Sequence, residues 1–219
     1  MILQKGKKYL QVALNSTLEQ AEAIIGQLPS DERVLIEAGT PLITAYGEEA
    51  MRFIRRLVPP SAYIVADLKC ADLALREVAI ANQAGAQAAT CLGASPIETI
   101  NNFIDACFKN HIDSMLDMMN VQDSIAVLRK LKKLPDVVIL HRGVDESEFS
   151  REKQIPYYQI KQIKGYSNKI LTAVAGGDTL SEVQRAVFNG ADIVIVWKHF
   201  YQSGEDTAKL ADEFLKTVR

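Results

Sequence analysis

The run Ile64-Val65-Ala66-Asp67-Leu68-Lys69-Cys70-Ala71-Asp72 sets an acid, a base and a second acid at the end of an apolar stretch. Side chains alternate along an extended strand, so Asp67 and Lys69 share a face. A lysine held between two carboxylates, here Asp67 and Asp72, stays protonated and fixed in direction. That suits it to deliver a proton to an enolate, or to stabilise its charge. Two other readings fit the same residues. Asp67 and Lys69 could form a buried structural ion pair, because charges taken out of water need partners, or Asp67 could face a metal.

Other apolar runs also end on polar groups. Glu37 closes Leu35-Ile36 and precedes Ala-Gly-Thr-Pro. Alone it could cap a neighbouring helix. With Asp67 it offers two hard oxygen ligands on adjacent strands, which suits magnesium, an ion that takes few carboxylates and completes its shell with waters and substrate oxygens. His141, followed by Arg142, ends Val138-Ile139-Leu140, the place for an acid–base group or a hydrogen-bond donor to substrate. Gly176 and Gly177 follow Ala173-Val174-Ala175 and precede a helix, so backbone N–H groups there can approach an anion. Lys198 could add positive charge beside them, with the bulky Trp197 just before it. Asn15 and Asp117 complete the polar strand ends. Of the other histidines, His111 follows a helix and reads as a surface residue, while His199 stays ambiguous.

These groups need a scaffold that aims them at one point. Short β-branched runs alternate with amphipathic stretches along the whole chain. The spacing predicts strands at Tyr9–Leu14, Arg33–Glu37, Tyr63–Asp67, Ala88–Leu92, Ser114–Asp117, Val137–Leu140, Ile170–Val174 and Ala191–Val196. Helices are expected at Thr17–Leu28, Glu48–Leu57, Leu73–Ala84, Pro96–Asn110, Val121–Leu131, Ile155–Ile163, Leu180–Asn189 and Glu205–Val218. Ser16 or Thr17 could cap the first of them. Val-Val-Ile-Leu and Ile-Val-Ile-Val are apolar on both pleat faces, so a parallel sheet sheathed by helices is implied. An open doubly wound sheet would need an early glycine fingerprint to bind a nucleotide, and Asn-Ser-Thr-Leu-Glu follows the first strand instead. Count and spacing favour a single (β/α)8 TIM barrel over residues 1–219, with chemistry at the C-terminal ends of its strands.

Glu37-Ala-Gly-Thr-Pro, Ala66-Asp67-Leu-Lys69-Cys-Ala-Asp72, His141-Arg-Gly-Val-Asp145 and Ala173-Val-Ala-Gly-Gly177 together resemble the 3-hexulose-6-phosphate synthases. These belong to the orotidine 5'-monophosphate decarboxylase superfamily, and the resemblance runs roughly from Leu10 to Leu215. Orotidine decarboxylases carry lysine where Glu37 stands, and keto-gulonate phosphate decarboxylases carry arginine where Val144 stands. The resemblance implies that Glu37 and Asp67 place Mg2+. It also implies that Lys69 and Asp72 form the catalytic pair, with Asp72 reaching the partner's site in a homodimer. His141 would contact the enediolate or the reacting carbonyl. Gly176, Gly177 and the strand-eight end would hold phosphate, with Asn15 and Arg142 also facing substrate. The implied reaction is a lyase-type aldol addition of formaldehyde to D-ribulose 5-phosphate, or its reverse, in the cytoplasm. Three positions depart from the pattern: Asn15 stands for aspartate, Asp178 for an apolar residue, and Trp197-Lys198 for Gly-Arg. A related lyase or decarboxylase for another phosphosugar, or a non-catalytic barrel that binds phosphosugar, are the rival readings.

Composition narrows the rest. The 219 residues carry 25 basic and 27 acidic side chains, a net charge of −2, which is no electrostatic footprint for nucleic acid. No run approaches the roughly 20 apolar residues of a membrane span, and the N-terminus lacks the pattern of a signal peptide. Cys70, Cys91 and Cys107 are odd in number and lie in apolar surroundings, so buried, reduced thiols are expected.

Overall fold

The computed structural model describes residues 1–145, 154–176, 179–197 and 207–217. Its strands are β1 (Tyr9–Leu14), β2 (Val34–Ala38), β3 (Tyr63–Cys70), β4 (Ala88–Leu92), β5 (Asp113–Asp117), β6 (Val137–His141), β7 (Leu171–Ala175) and β8 (Ile193–Val196). The helices among the described residues are α1 (Leu18–Ile25), α2 (Thr40–Tyr46), α3 (Glu48–Leu57), α4 (Ala74–Gln83), α5 (Ile97–Lys109), α6 (Ser124–Leu128), α7 (Tyr158–Tyr166), α8 (Leu180–Phe188) and α9 (Thr207–Thr217). Each strand pairs in parallel with the next, and β8 pairs with β1, so the sheet closes into an eight-stranded barrel. The fold is the single (β/α)8 barrel that the alternation predicts.

Both faces of the strands are apolar because two cores form. Leu10, Val12, Leu14, Ile36, Ile64, Val138 and Val194 point outward into the helical layer. Tyr9, Ala13, Leu35, Val65, Met115, Ile139, Ala173 and Ile195 point inward and fill the barrel. Alternation therefore also selects which polar residues look into the barrel: Gln11, Glu37, Asp67, Thr90, Asp117 and His141 continue the inward set. The small Ala13 and Ala175 near the C-terminal rim leave a cup there.

Thr17 caps α1, its hydroxyl accepting from the Gln20 N–H, and Thr179 with Glu182 forms a reciprocal capping box on α8. α2 is an element that the periodicity does not announce. It has one buried residue, Leu42, and starts at Gly39-Thr40-Pro41, with proline in its first turn, where its missing N–H costs nothing.

The opposite mouth of the barrel is closed by the chain's own first residues. Asp113, 1% exposed, accepts hydrogen bonds from the Ile2 N–H at 2.6 Å, the Leu3 N–H at 3.0 Å and the Tyr63 hydroxyl at 2.8 Å. The Met1 ammonium lies 3.5 Å from Asp113 and 3.7 Å from Asp136. Removing this carboxylate leaves several buried donors unsatisfied, a loss of about 3 kcal/mol. Asp113→Ala is therefore expected to lower the thermal midpoint by about 6–12 °C, and Tyr63→Phe, which gives up one bond, by about 2–4 °C. Calorimetry checks this; an Asp113→Ala midpoint equal to wild type contradicts the account.

Candidate active site

β3 does not run straight to its end. Its register with β4 shifts between Ala66 and Cys70, and Lys69 takes a left-handed backbone, φ 46°. That conformation costs an ordinary L-residue about 1–2 kcal/mol, and it is held by interactions on both sides of the residue. The Lys69 N–H donates to Thr90 Oγ1 at 2.9 Å, and its ammonium donates to Asp67 Oδ2 at 2.5 Å. The ammonium also lies 3.7 Å from Asp117 Oδ2. Lys69 is thus held between two carboxylates, but in this chain the second is Asp117 rather than Asp72. Asp72 is exposed beyond the strand, on a separate hollow with Leu73, Leu75 and Arg76.

Asp67 is held at both oxygens. Oδ1 accepts from Thr90 at 2.8 Å, and Oδ2 accepts from Thr40 at 2.7 Å as well as from Lys69. Burial alone would raise its pKa, but the Lys69 charge and these three hydrogen bonds bring it below the ordinary value. Burial likewise opposes the charge on Lys69, and the carboxylates of Asp67 and Asp117 outweigh it and raise the pKa. Both shifts describe one fixed ion pair.

Asp117 joins this pair to His141, whose Nδ1 lies 2.8 Å from the same Oδ2 atom that faces Lys69. Burial disfavours the imidazolium, but the Asp117 hydrogen bond and charge prevail and raise the His141 pKa. With Nδ1 engaged, Nε2 is the ring nitrogen left for a ligand. On the other side, Glu37 is fully enclosed and its pKa is pushed up to about 7 by burial and by the Asp67 charge. Gln11 donates to Glu37 Oε2 at 2.5 Å, while its own Oε1 is buried with no hydrogen-bond partner.

These groups line one cavity of about 420 Å3 at the C-terminal mouth. Asn15, Glu37, Asp67, Lys69, His141, Arg142 and Gly176 all border it. Asn15 sits tightly over Gly39, where a Cβ would fall 1.7 Å from Asn15 Oδ1. Gly176 has φ +91°, and a Cβ there would lie 2.3 Å from the Arg142 carbonyl, so the tips of β6 and β7 meet backbone to backbone. Arg142 donates to the Gly176 carbonyl at 3.2 Å. Trp197 packs on the inner core and borders the cup. Gly177, Asp178, Lys198 and His199 lie outside the described residues. Thr40, Thr90 and Gln11 are site residues that sequence reasoning misses, and Asp117 is one to which it gives no role. Inward parity on β1 and β4 is the signal that marks Gln11 and Thr90.

The donor set suits a hard cation. Glu37 and Asp67 supply oxygens that repel each other, both border the cup, and Asp67 Oδ1 keeps a lone pair after its bond to Thr90. No group of three His, Cys, Asp or Glu residues able to hold a metal occurs among the described residues. A Mg2+ held by these two carboxyls would take waters and substrate oxygens to complete its shell.

A closed parallel barrel with charged groups converging at its C-terminal strand tips defines a (β/α)8 protein of the enzyme-like kind. The chain belongs to the orotidine 5'-phosphate decarboxylase / HUMPS family, matched over residues 8–212. It is 39% identical over 211 residues to a "bifunctional enzyme Fae/Hps" of Methanosarcina barkeri, covering 96% of this chain and 52% of the relative. It is 42% identical over 214 residues to the protein of that name from Methanosphaera stadtmanae, covering 95% of this chain and 52% of the relative. The chain thus spans about half the length of these relatives. Among solved structures it is similar to 3-hexulose-6-phosphate synthase from Salmonella typhimurium, with a TM-score of 0.85, 28% identity and coverage of 96% and 98% of the two chains. 3-Keto-L-gulonate-6-phosphate decarboxylase from Vibrio cholerae shares the fold, with a TM-score of 0.81, 20% identity and 97% coverage of both chains.

Because its folded-state pKa is raised, His141 contributes stability that is present below its unfolded value and lost as pH rises through the folded one. Asp117→Asn removes the charge responsible. In a proton NMR titration, the His141 ring midpoint is expected to fall below that of wild type; an unchanged midpoint would show that Asp117 does not set it.

Proposed function

We propose that this chain is a magnesium-dependent aldolase joining formaldehyde to D-ribulose 5-phosphate to give D-arabino-hex-3-ulose 6-phosphate, or running the reverse. One observation carries the reading: the Lys69 ammonium is fixed between Asp67 and Asp117 at the cup, with His141 on the same Asp117 oxygen. The names of its relatives support the same class.

The cup would take the sugar with its phosphate toward Gly176 and Arg142, with Gly177 next to Gly176 in sequence and Lys198 next to Trp197, which borders the cup. Mg2+ held by Glu37 and Asp67 would draw electron density from the sugar's carbonyl and hydroxyl oxygens and so favour loss of the carbon-bound proton. Neutral His141 is placed to take a proton from C1 of the pentulose at Nε2, and the C–H electrons move onto the C2 oxygen, giving an enediolate. Lys69 faces that oxygen with a charge it cannot readily lose, and it needs no reorganisation as the anion forms. The enediolate carbon then bonds to formaldehyde, whose oxygen gains a proton. His141, carrying that proton on Nε2 while Nδ1 faces Asp117, returns it to this oxygen.

Val144, on the rim of the cup, stands where keto-gulonate phosphate decarboxylases carry arginine, which favours the aldolase. Trp197, bordering the cup, motivates a second reading, a related lyase for a differently shaped phosphosugar. Assaying sugar-acid phosphates for CO2 release separates the two. Asp72 would serve the site of a second copy. The exposed Leu73 and Leu75 beside it, 63% and 61% accessible, are the apolar surface that such a partner would cover.

The purified chain should release formaldehyde from hexulose 6-phosphate with Mg2+, lose that activity in chelator, and regain it when Mg2+ is restored. Lys69→Ala should lower turnover about 1,000-fold. Absence of turnover with and without metal sinks the proposal. Light scattering should give a dimer for wild type and a monomer for Leu75→Glu; a monomeric wild type contradicts the shared site.

A further inference from the structure

β3 and β4 keep ordinary register as far as Ala66 opposite Ala89 and regain it at Cys70 opposite Cys91. Asp67, Leu68 and Lys69 are therefore spanned by Thr90 alone. Such a bulge takes backbone N–H groups out of the ladder, and a buried N–H must find another acceptor. The Lys69 N–H finds Thr90 Oγ1, and the same hydroxyl donates to Asp67 Oδ1. A hydroxyl has one hydrogen to give. Because it goes to the carboxylate, the oxygen meets the Lys69 N–H as an acceptor, so the two bonds fix the hydroxyl's direction together.

Thr90 is 1% exposed, so water does not readily replace it. Thr40, which holds the other Asp67 oxygen, is only partly buried at the rim. We infer that Thr90 is a positioning residue: its hydroxyl locks the left-handed backbone of Lys69 and the orientation of Asp67 together, so that ammonium and carboxylate meet inside the cup. Thr90 borders the cup, but its hydroxyl is engaged by Asp67 and Lys69, so it acts through its two neighbours. Its effect on catalysis rests on the reaction proposed above, whereas the positioning itself rests on geometry.

Thr90→Val keeps the volume and branching and removes only the hydroxyl, while Thr90→Ser keeps the hydroxyl. Turnover of Thr90→Val should fall about 10- to 100-fold, as expected for a displaced reacting group. KM for the phosphosugar should stay within about threefold, because uniform binding is untouched, and Thr90→Ser should recover turnover to within about threefold of wild type. A readout independent of the reaction is the Lys69 side-chain resonance in protein labelled with 13Cε-lysine, assigned by its loss in Lys69→Met. It should move in Thr90→Val and return in Thr90→Ser. If Thr90→Val does not fold, Thr90→Ala is read in the same two ways. An unmoved resonance with wild-type turnover in Thr90→Val overturns the inference, as does a loss that Thr90→Ser fails to recover. A wild-type chain without turnover removes the proposed reaction alone, and the resonance then decides the role of Thr90.

Discussion

The site depends on keeping an ammonium charged inside a barrel. Desolvating Lys69 and its carboxylates costs several kcal/mol per ion before their attraction returns any of it. The balance is met by crowding: Lys69 faces two acids, Asp67 is gripped at both oxygens, and Asp117 is shared with His141. Removing any one member would strand its partners. The same constraint explains why the β3 tip tolerates an unfavourable backbone at Lys69, since a straight strand would not carry the same N–H to Thr90.

Glu37 is the counterpoint. It is as deeply enclosed as Asp67, it accepts a hydrogen bond from Gln11, and the neighbouring carboxylate repels it. One acid is saturated with donors and the other is left wanting positive charge. That asymmetry gives the cup a defined direction, with a fixed cation on the Lys69 side and an electrostatically strained carboxyl on the Glu37 side.

Much of this was legible in the residues. β1 and β4 end where the apolar alternation ends, and the strand tips point to Glu37, Asp67, Lys69, Asp117 and His141. Long-range pairing was not legible. Asp117 and His141 are 24 positions apart, and nothing local says that one carboxylate oxygen would serve both His141 and Lys69. Asp72 lies past the bulge and outside the cup of its own chain, which position in the sequence alone does not tell. α2 was missed because a seven-residue stretch with a single buried side chain shows no periodic stripe, and its sign is the proline in its first turn.

The floor built by Asp113 and the first residues of the chain makes the cup a vessel with one opening. A ligand that reaches Ala13 and Ile139 has to come past Asn15, Arg142 and Trp197, so the rim screens whatever the floor receives.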